Sequence, residues 1–187
     1  MQTTYIITSA DVEKLKQIAR KLKKSEGITH NEALDRAAQN AGLNHWHHVI
    51  ESAKKIEPTE TAYRSGVIIA MDVKEAGDFH GDEGDFVEDH YADIFCEKDL
   101  YLDLCESPYA EDEVDAPDYK RMRDMYNDGE LMEINREDIS NYIFFRFTSS
   151  TVPKSVQSVV AMTDECSMWQ PMFVWYKGRF HTPGMWR

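Results

Sequence analysis

The chain has 187 residues, a formal net charge of −13 and a hydrophobic content of 42%. This hydrophobic content is sufficient for a folded core and excludes wholesale disorder. No apolar run approaches the roughly 20 residues of a membrane span, and the first residues lack the basic and apolar regions of a signal peptide. Because the 3 cysteines are scattered and too few for a disulfide framework, we expect a cytoplasmic protein with free thiols and no membrane partner.

Charge is distributed unevenly along the sequence. Residues 1–55 contain 9 Lys and Arg against 6 Asp and Glu, a balance of +3. The remaining residues contain 12 basic and 28 acidic side chains, a balance of −16. Such asymmetry indicates that the two parts either attract one another or bind different partners.

The first predicted helix carries a dense group of positive charges. It begins near Ser9, a favourable N-cap, and Asp11 then lies near the positive end of the helix dipole. Apolar residues recur at helical spacing and form one stripe. The other faces carry six cations: Lys14, Lys16, Arg20, Lys21, Lys23 and Lys24. These cations form either a solvated face or a surface that binds a protein or nucleic-acid partner electrostatically, without reading a base sequence.

Two further helices are predicted directly after it. Gly27 is a favourable helix stop, because glycine adopts the left-handed conformation without a steric penalty. Thr29 and Glu32 have the spacing of a capping box, which starts the second helix. Gly42 ends that helix, and Asn44 is the predicted N-cap of the third.

The stretch from Lys14 to Ile50 resembles a small helical module found at the N-terminus of bacterial and mobile-element proteins of unknown function. The matching residues are Gly27, Ile28, Thr29, His30, Glu32, Ala33, Leu34, Asp35, Gly42 and Trp46. Some proteins with this module are labelled glyoxalase-superfamily-like. Residues 60–187 contain nothing that resembles a glyoxalase metal site. The resemblance, which covers about a quarter of the chain, therefore implies a helical fold piece of an accessory protein and no activity.

Histidines are concentrated in the same module. His45, His47 and His48 suggest a metal site, but on a helix only His45 and His48 have the spacing of a ligand pair. We therefore expect structural or surface histidines. Residues 57–62 contain Pro58 among polar neighbours and are predicted to form a linker between a helical module at 9–56 and an acidic domain at 63–187.

An acidic loop follows a predicted buried strand at 66–71. The candidate cation ligands in this loop are Asp78, His80, Asp82, Asp85 and His90. The loop does not follow the EF-hand pattern, since position 6 counted from Asp78 is Glu83 rather than Gly. Three hypotheses stay open: a solvated acidic loop, a Ca²⁺ or Mg²⁺ site, or a catalytic metal centre that also uses Asp72.

The rest of the domain contains mixed signals. Apolar alternation predicts a strand around Leu100–Leu104, and a helix is predicted around Phe86–Phe95. A further helix is predicted through Tyr119 and Met125, ending at a turn at Asp128 and Gly129. Strands are predicted at 142–147, 156–162 and 171–176, and a hairpin is predicted at 172–181. The cysteines lack CxxC spacing or an obvious base, so inert thiols are expected.

Together these signals predict an α+β fold: an N-terminal three-helix module plus a domain with a mostly antiparallel sheet and flanking helices. No P-loop, GxGxxG, GxSxG or HExxH motif occurs, which favours a non-enzymatic interaction protein without a cofactor. One alternative is an acidic nucleic-acid mimic that uses the clusters at 78–89 and 111–118. The other is a metal-dependent hydrolase or lyase that uses Asp72, Asp78, His80 and His90.

Overall fold

Three helices occupy the described part of the N-terminal region in the computed structural model, which describes residues 5–81, 85–109 and 120–183. These helices are α1 (Ser9–Glu26), α2 (His30–Asn40) and α3 (Trp46–Ser65). By packing, the chain divides into two compact units, Met1–Thr61 and Ala62–Arg187. The fold class is therefore as predicted, an α+β protein with an N-terminal helical region.

Helices α1 and α2 both begin with a capping box, in which a threonine hydroxyl and a carboxylate satisfy each other's free amides. In α2 the predicted pair of Thr29 and Glu32 forms this box, and Gly27 before it has a φ of 67°. In α1 the cap is Thr8, one residue before the predicted Ser9. The Ser9 hydroxyl instead donates to Glu60 over 2.7 Å, which ties the start of α1 to α3 within the first unit.

Helix α3 begins differently from the prediction, which made Asn44 its N-cap. The ring Nδ1 of His45 accepts the amide hydrogen of His48 over 3.2 Å, so His45 fills the capping role. A carboxylate of α2 satisfies another free amide, because Asp35 accepts from the backbone N–H of Trp46 over 2.8 Å. The free amides of the first turn of α3 are thus satisfied by a histidine ring and by a carboxylate of α2, which N-cap preferences do not predict.

The predicted linker at 57–62 is helical. Pro58 lies inside α3, although proline removes a helical hydrogen bond and costs about 3 kcal/mol in a helix interior. The prediction fails because the neighbouring side chains are held by tertiary contacts: Ile56 and Thr59 are each 1% exposed, and Glu60 binds Ser9. The division between the two units falls within this helix.

The second unit combines short strands and helices. In chain order they are β1 (Val67–Asp72), β2 (Phe86–Glu88), α4 (Ala92–Glu106), β3 (Pro108–Tyr109), β4 (Lys120–Arg121), α5 (Met122–Met125), α6 (Asp128–Ile139), β5 (Tyr142–Phe147), α7 (Val156–Cys166), β6 (Phe173–Tyr176) and β7 (Arg179–His181). Strands β3 and β4 pair with each other, and the other five form an antiparallel sheet in the order β2-β5-β1-β6-β7.

Strand β1 is the centre of this sheet and is buried on both faces. The five residues from Val67 to Met71 have no exposed surface, and β1 pairs with β5 on one side and β6 on the other. On one face Val67 and Ile69 pack with Val159 of α7. On the opposite face Ile68 and Ala70 pack with α4. The sheet is therefore covered by a helix on each side.

Two segments predicted as strands are helices. The run 156–162 is part of α7, where Val156, Val159 and Met162 face the sheet at helical spacing and Ser155 caps the first turn. Its β-branched composition made it look like a strand. The alternating leucines at 100–104 belong to α4, whose buried positions follow helical spacing as Ala92, Cys96 and Leu100.

Other boundaries also differ from the prediction. The helix expected at 86–95 is replaced by β2 and the start of α4, because Phe86 pairs with Phe147 of β5. Gly129 does not end a helix: its amide donates to the Asn127 side chain, which caps α6. The helix expected through Tyr119 and Met125 is present as the short α5, and Tyr119 lies outside the described residues.

Besides β1, two of the expected strands and the hairpin are confirmed. Strand β5 has the predicted bounds, and β6 pairs with β7 across the turn at Lys177 and Gly178. Both turn residues have positive φ, 50° and 74°, as a two-residue type I′ hairpin turn requires. A Cβ at Gly178 would also lie 3.1 Å from the Arg64 carbonyl oxygen, so glycine is required there for two reasons.

A polar cluster on α4 is embedded in the apolar layer between α4 and the sheet. Asp99 accepts hydrogen bonds from the Trp175 indole N–H and from the Tyr63 hydroxyl, both over 2.9 Å. Trp175 is completely buried, so its N–H has no access to water. Burial and the neighbouring Asp99 together raise the pKa of Tyr63 to about 12. One carboxylate oxygen thus satisfies two donors of this core.

Replacement of Asp99 by Ala is expected to destabilise the protein by roughly 1–3 kcal/mol, because the buried Trp175 N–H loses its acceptor. Chemical denaturation measures this change. Glu97→Ala, an exposed position on the same helix, is the matched control and should stay within about 0.5 kcal/mol of the wild type. Equal losses in the two variants would contradict the assigned role of Asp99.

Replacement of Asp99 by Asn is expected to lower the pKa of Tyr63 while leaving it above the ordinary value near 10, since burial persists when the negative charge is gone. In the wild type, the unfolded chain ionises Tyr63 first. Stability therefore falls as pH rises from about 10 towards 12. The ¹³Cζ shift of Tyr63, assigned with Tyr63→Phe, follows this titration. An unchanged pKa in Asp99→Asn would exclude the Asp99 charge as a cause.

Candidate functional site

The basic face of α1, defined as Lys14, Lys16, Arg20, Lys21, Lys23 and Lys24, is largely exposed as predicted. The helix buries Val12, Leu15 and Ala19. At about 100° of rotation per residue, Lys14, Arg20, Lys21 and Lys24 lie on the sides away from that stripe, whereas Lys16 and Lys23 flank it. The cations differ in their partners. Two are held by acids of the same helix, Lys14 by Asp11 at 3.3 Å and Lys16 by Glu13 at 2.6 Å.

The other four cations of the basic face have no such partner. Within residues 5–81, 85–109 and 120–183, no ion pair involves Arg20, Lys21, Lys23 or Lys24. Lys23 and Lys24 lie in the last turn of α1, where the helix dipole favours positive charge. The C-terminal half of the helix therefore presents to solvent four cations that have no ion pair with the described residues.

The histidines of the module have structural roles. His45 caps α3, and the His48 ring lies edge-on against Tyr5, with centroids 5.4 Å apart. The rings of His45 and His47 stack at 6.1 Å. These contacts give His45 a capping position and place the rings of His47 and His48 in packing contacts.

The predicted metal ligands of the acidic loop are engaged separately. His90 Nδ1 lies 3.2 Å from a Glu88 carboxylate, and the carbonyl of Asp85 accepts hydrogen bonds from Thr148. Asp78 and His80 are exposed, and Asp82 lies outside the described residues. Among the residues that can be described, no group of three or more His, Cys, Asp or Glu side chains is placed to hold a metal ion.

An ion pair that the loop sequence does not reveal joins the end of the loop to β5. Asp89 is 6% exposed and lies 3.1 Å from the Arg146 guanidinium on β5. The proposed catalytic partner Asp72 accepts a hydrogen bond from the backbone N–H of Lys74. These carboxylates therefore organise the loop and its neighbouring turn.

The three cysteines are in buried environments. Cys96, Cys105 and Cys166 form no disulfide within the described residues. Burial is the main cause that raises the pKa of the Cys96 thiol far above its usual range, and the negative charge of Asp99 adds to it. Since the thiolate is the reactive form, this environment disfavours reaction at Cys96. The inertness of the three thiols stays a prediction.

A groove that the sequence did not indicate lies between α7 and the hairpin of β6 and β7. Its cavity volume is about 830 Å³. We call it the α7 groove. Its lining residues are Lys154, Ser155, Val156, Gln157, Val160, Ala161, Asp164, Gln170, Tyr176, Lys177, Arg179, His181 and Pro183.

Positive charge predominates in the α7 groove. Lys154, Lys177 and Arg179 line it together with a single carboxylate, Asp164. No ion pair of these three cations occurs in the described part of the chain. The Lys177 ammonium lies 4.9 Å from the centre of the Tyr176 ring, a cation–π contact that leaves its hydrogen-bond donors free for other groups.

His181 adds an uncommitted polar atom to the groove lining. Its Nε2 is buried and makes no hydrogen bond with the described residues. Burial and the positive charge of Arg179 lower the pKa of His181 below its ordinary value, so the ring is neutral at pH 7. A neutral imidazole can donate or accept one hydrogen bond at this nitrogen.

One sequence signal could have identified the groove. Residues 56–147 contain 8 basic and 26 acidic side chains, whereas residues 148–187 contain 4 basic and 2 acidic ones. The end of the chain is thus a positively charged segment within an acidic unit. Its loop before β6 also exposes apolar side chains, with Met168 at 92%, Trp169 at 44% and Met172 at 45%.

None of the helices in the described ranges combines the length and apolarity needed to cross a membrane. Comparison of the sequence with known protein families and with curated proteins gave no match. Comparison with solved structures gave no match either. The two cationic surfaces, the basic face of α1 and the α7 groove, are therefore interpreted from their own geometry.

Proposed function

We propose that the protein is a non-enzymatic binding protein whose N-terminal helical module binds the backbone of nucleic acid through the basic face of α1. One observation carries this proposal: four exposed cations near the end of α1 have no ion pair in the described residues, while the apolar stripe of the helix is buried. Unpaired lysines and arginines on a rigid element bind phosphates by releasing condensed counterions.

The length of the basic face suits a polyanion. From Lys14 to Lys24 the helix rises about 15 Å, a distance over which duplex DNA carries about nine charges. Several cations can therefore contact different phosphates at the same time. Such contacts position a protein on nucleic acid without reading its sequence, so binding without sequence preference is expected.

The net charge of −13 opposes this binding only in part. At physiological ionic strength the Debye length is about 8 Å, so charges farther than this from the bound phosphates are largely screened. Local cations then dominate the interaction. At low salt the screening length increases, and the acidic residues of the second unit repel the polyanion more strongly.

The role of an accessory protein on a bacterial mobile element is part of this proposal, and its support is the resemblance of the module from Lys14 to Ile50. The described residues give no specific support to a metal-dependent hydrolase or lyase, since no metal-ligand group forms in them. For the acidic mimic, the cluster at 111–118 lies outside the described residues. Binding to the basic face therefore stays the leading hypothesis.

The double variant Lys21→Glu/Lys24→Glu is expected to weaken binding to a 20-base-pair duplex on the order of tenfold or more, because two phosphate contacts become repulsive. Fluorescence anisotropy at about 50 and 150 mM salt measures the affinity. The matched control is Lys54→Glu/Lys55→Glu, which makes the same charge change at exposed positions of α3 in the same unit.

Equal weakening in both double variants would show that net charge rather than the basic face determines binding, and would contradict the proposal. Absence of wild-type binding to DNA at both salt concentrations would also contradict it. If that same protein bound polylysine, the hypothesis of an acidic mimic would replace it.

A further inference from the structure

We propose that the α7 groove is a binding site for a small organic anion, a phosphate monoester or a carboxylate attached to an apolar body. This site lies in the second unit and is separate from the basic face of α1. The inference rests on the shape of the groove, on its charge and on its unsatisfied polar groups.

The shape follows from the topology of the sheet. Strand β7 is an edge strand, and α7 packs over the neighbouring strands. Cross-strand pairing places Arg179 beside Tyr176 and His181 beside Val174, so both side chains lie on the face that α7 covers. One flank of α7 and this part of the hairpin enclose the cavity between them.

The size of the groove fits a small molecule. Its cavity volume of about 830 Å³ falls in the range of roughly 300–1,000 Å³ that is typical of ligand pockets. On the α7 side, Val156, Val160 and Ala161 form an apolar wall. On the other side, the hairpin supplies polar and charged groups. A ligand with an apolar body and an anionic head matches these two sides.

The positive charge of the groove indicates that its ligand is negatively charged. Three cations and one carboxylate line it, in a unit where acidic residues greatly outnumber basic ones. Arg179 offers a planar set of donors that matches a carboxylate or phosphate in a bidentate manner, whereas Lys154 and Lys177 act as point charges. An anion would neutralise cations that lack an ion pair in the described residues.

One buried polar atom of the groove lining lacks a hydrogen-bond partner among the described residues. The buried Nε2 of His181 can donate a hydrogen bond to an anion, and an unsatisfied buried polar group is costly unless a ligand or water meets it. At the start of α7, the Ser155 hydroxyl accepts the amide hydrogen of Ser158 and lies 3.1 Å from the Ser158 hydroxyl. Ser155, Val156 and Gln157 all line the groove. The positive end of the dipole of this 11-residue helix therefore faces the same cavity.

Binding is tested on the full-length chain by ¹H–¹⁵N NMR titration with four probes. Phenyl phosphate and phenylacetate combine an apolar body with the two anionic heads, inorganic phosphate tests charge alone, and benzyl alcohol tests the apolar body alone. We expect saturable shifts confined to residues 154–164 and 176–183 for at least one of the first two probes. Its affinity should exceed that of the last two by roughly tenfold or more.

The preferred head group follows from the first two probes. Tighter binding of phenyl phosphate would assign a phosphate monoester, and tighter binding of phenylacetate would assign a carboxylate. Shifts that spread over the surface without saturation would overturn the proposal. Lack of binding by all four probes at about 10 mM, a concentration far above the dissociation constant of a specific site, would also overturn the proposal.

Arg179→Gln is expected to weaken binding of the preferred probe by roughly tenfold, because the bidentate head contact is lost. Arg179 is exposed, so the fold should persist, and the NMR spectrum checks this directly. The control is Arg136→Gln, at an exposed arginine of α6 outside the groove. If both variants bound as the wild type does, or lost affinity equally, the assignment of the groove would be wrong.

Discussion

The burial of β1 on both faces is the constraint on which the second unit depends. A strand with no exposed residue from Val67 to Met71 must be covered above and below, and α7 and α4 provide that cover. Burying Trp175 beside β1 then requires an acceptor for its indole, which Asp99 supplies from α4. The edge strand β7 completes the sheet beside β6, and the cavity between it and α7 is the α7 groove.

On a chain with a net charge of −13, two surfaces are rich in cations that lack an ion pair in the described residues. The basic face of α1 is a convex surface that covers about half of the helix circumference and is suited to an extended polyanion, whereas the α7 groove is concave and has an apolar wall. Their shapes imply different ligands: a backbone with many charges for the first and a small molecule with one anionic head for the second. Because the rest of the chain is acidic, it does not attract anions over long distances. Both surfaces are therefore expected to bind only ligands that contact their cations directly.

Local signals predicted the local structure well. The capping box at Thr29, the buried strand β1 and the turn at Gly178 all depend on residues close in sequence, and each has the expected form. Helices α4 and α7 were missed because leucine alternation and β-branched residues favoured strands, whereas tertiary packing selects helical spacing. The α7 groove is lined by residues from 154–164 and from 176–183. A local sequence pattern cannot predict that two segments so far apart in the chain lie side by side. In the acidic loop, the large number of carboxylates in a short stretch suggested a metal site. A high local count of carboxylates does not by itself bring three ligands together, and no such group forms in the described residues.

The salt dependence of duplex-DNA binding by the wild-type chain tests the central claim, that the unpaired cations of α1 contact phosphates. Each neutralised phosphate contributes about −0.9 to the slope of log K against log salt concentration. If the four cations without an ion pair in the described residues each contact a phosphate, the slope should be about −4. A slope near zero, or no binding at any salt concentration, would contradict the claim.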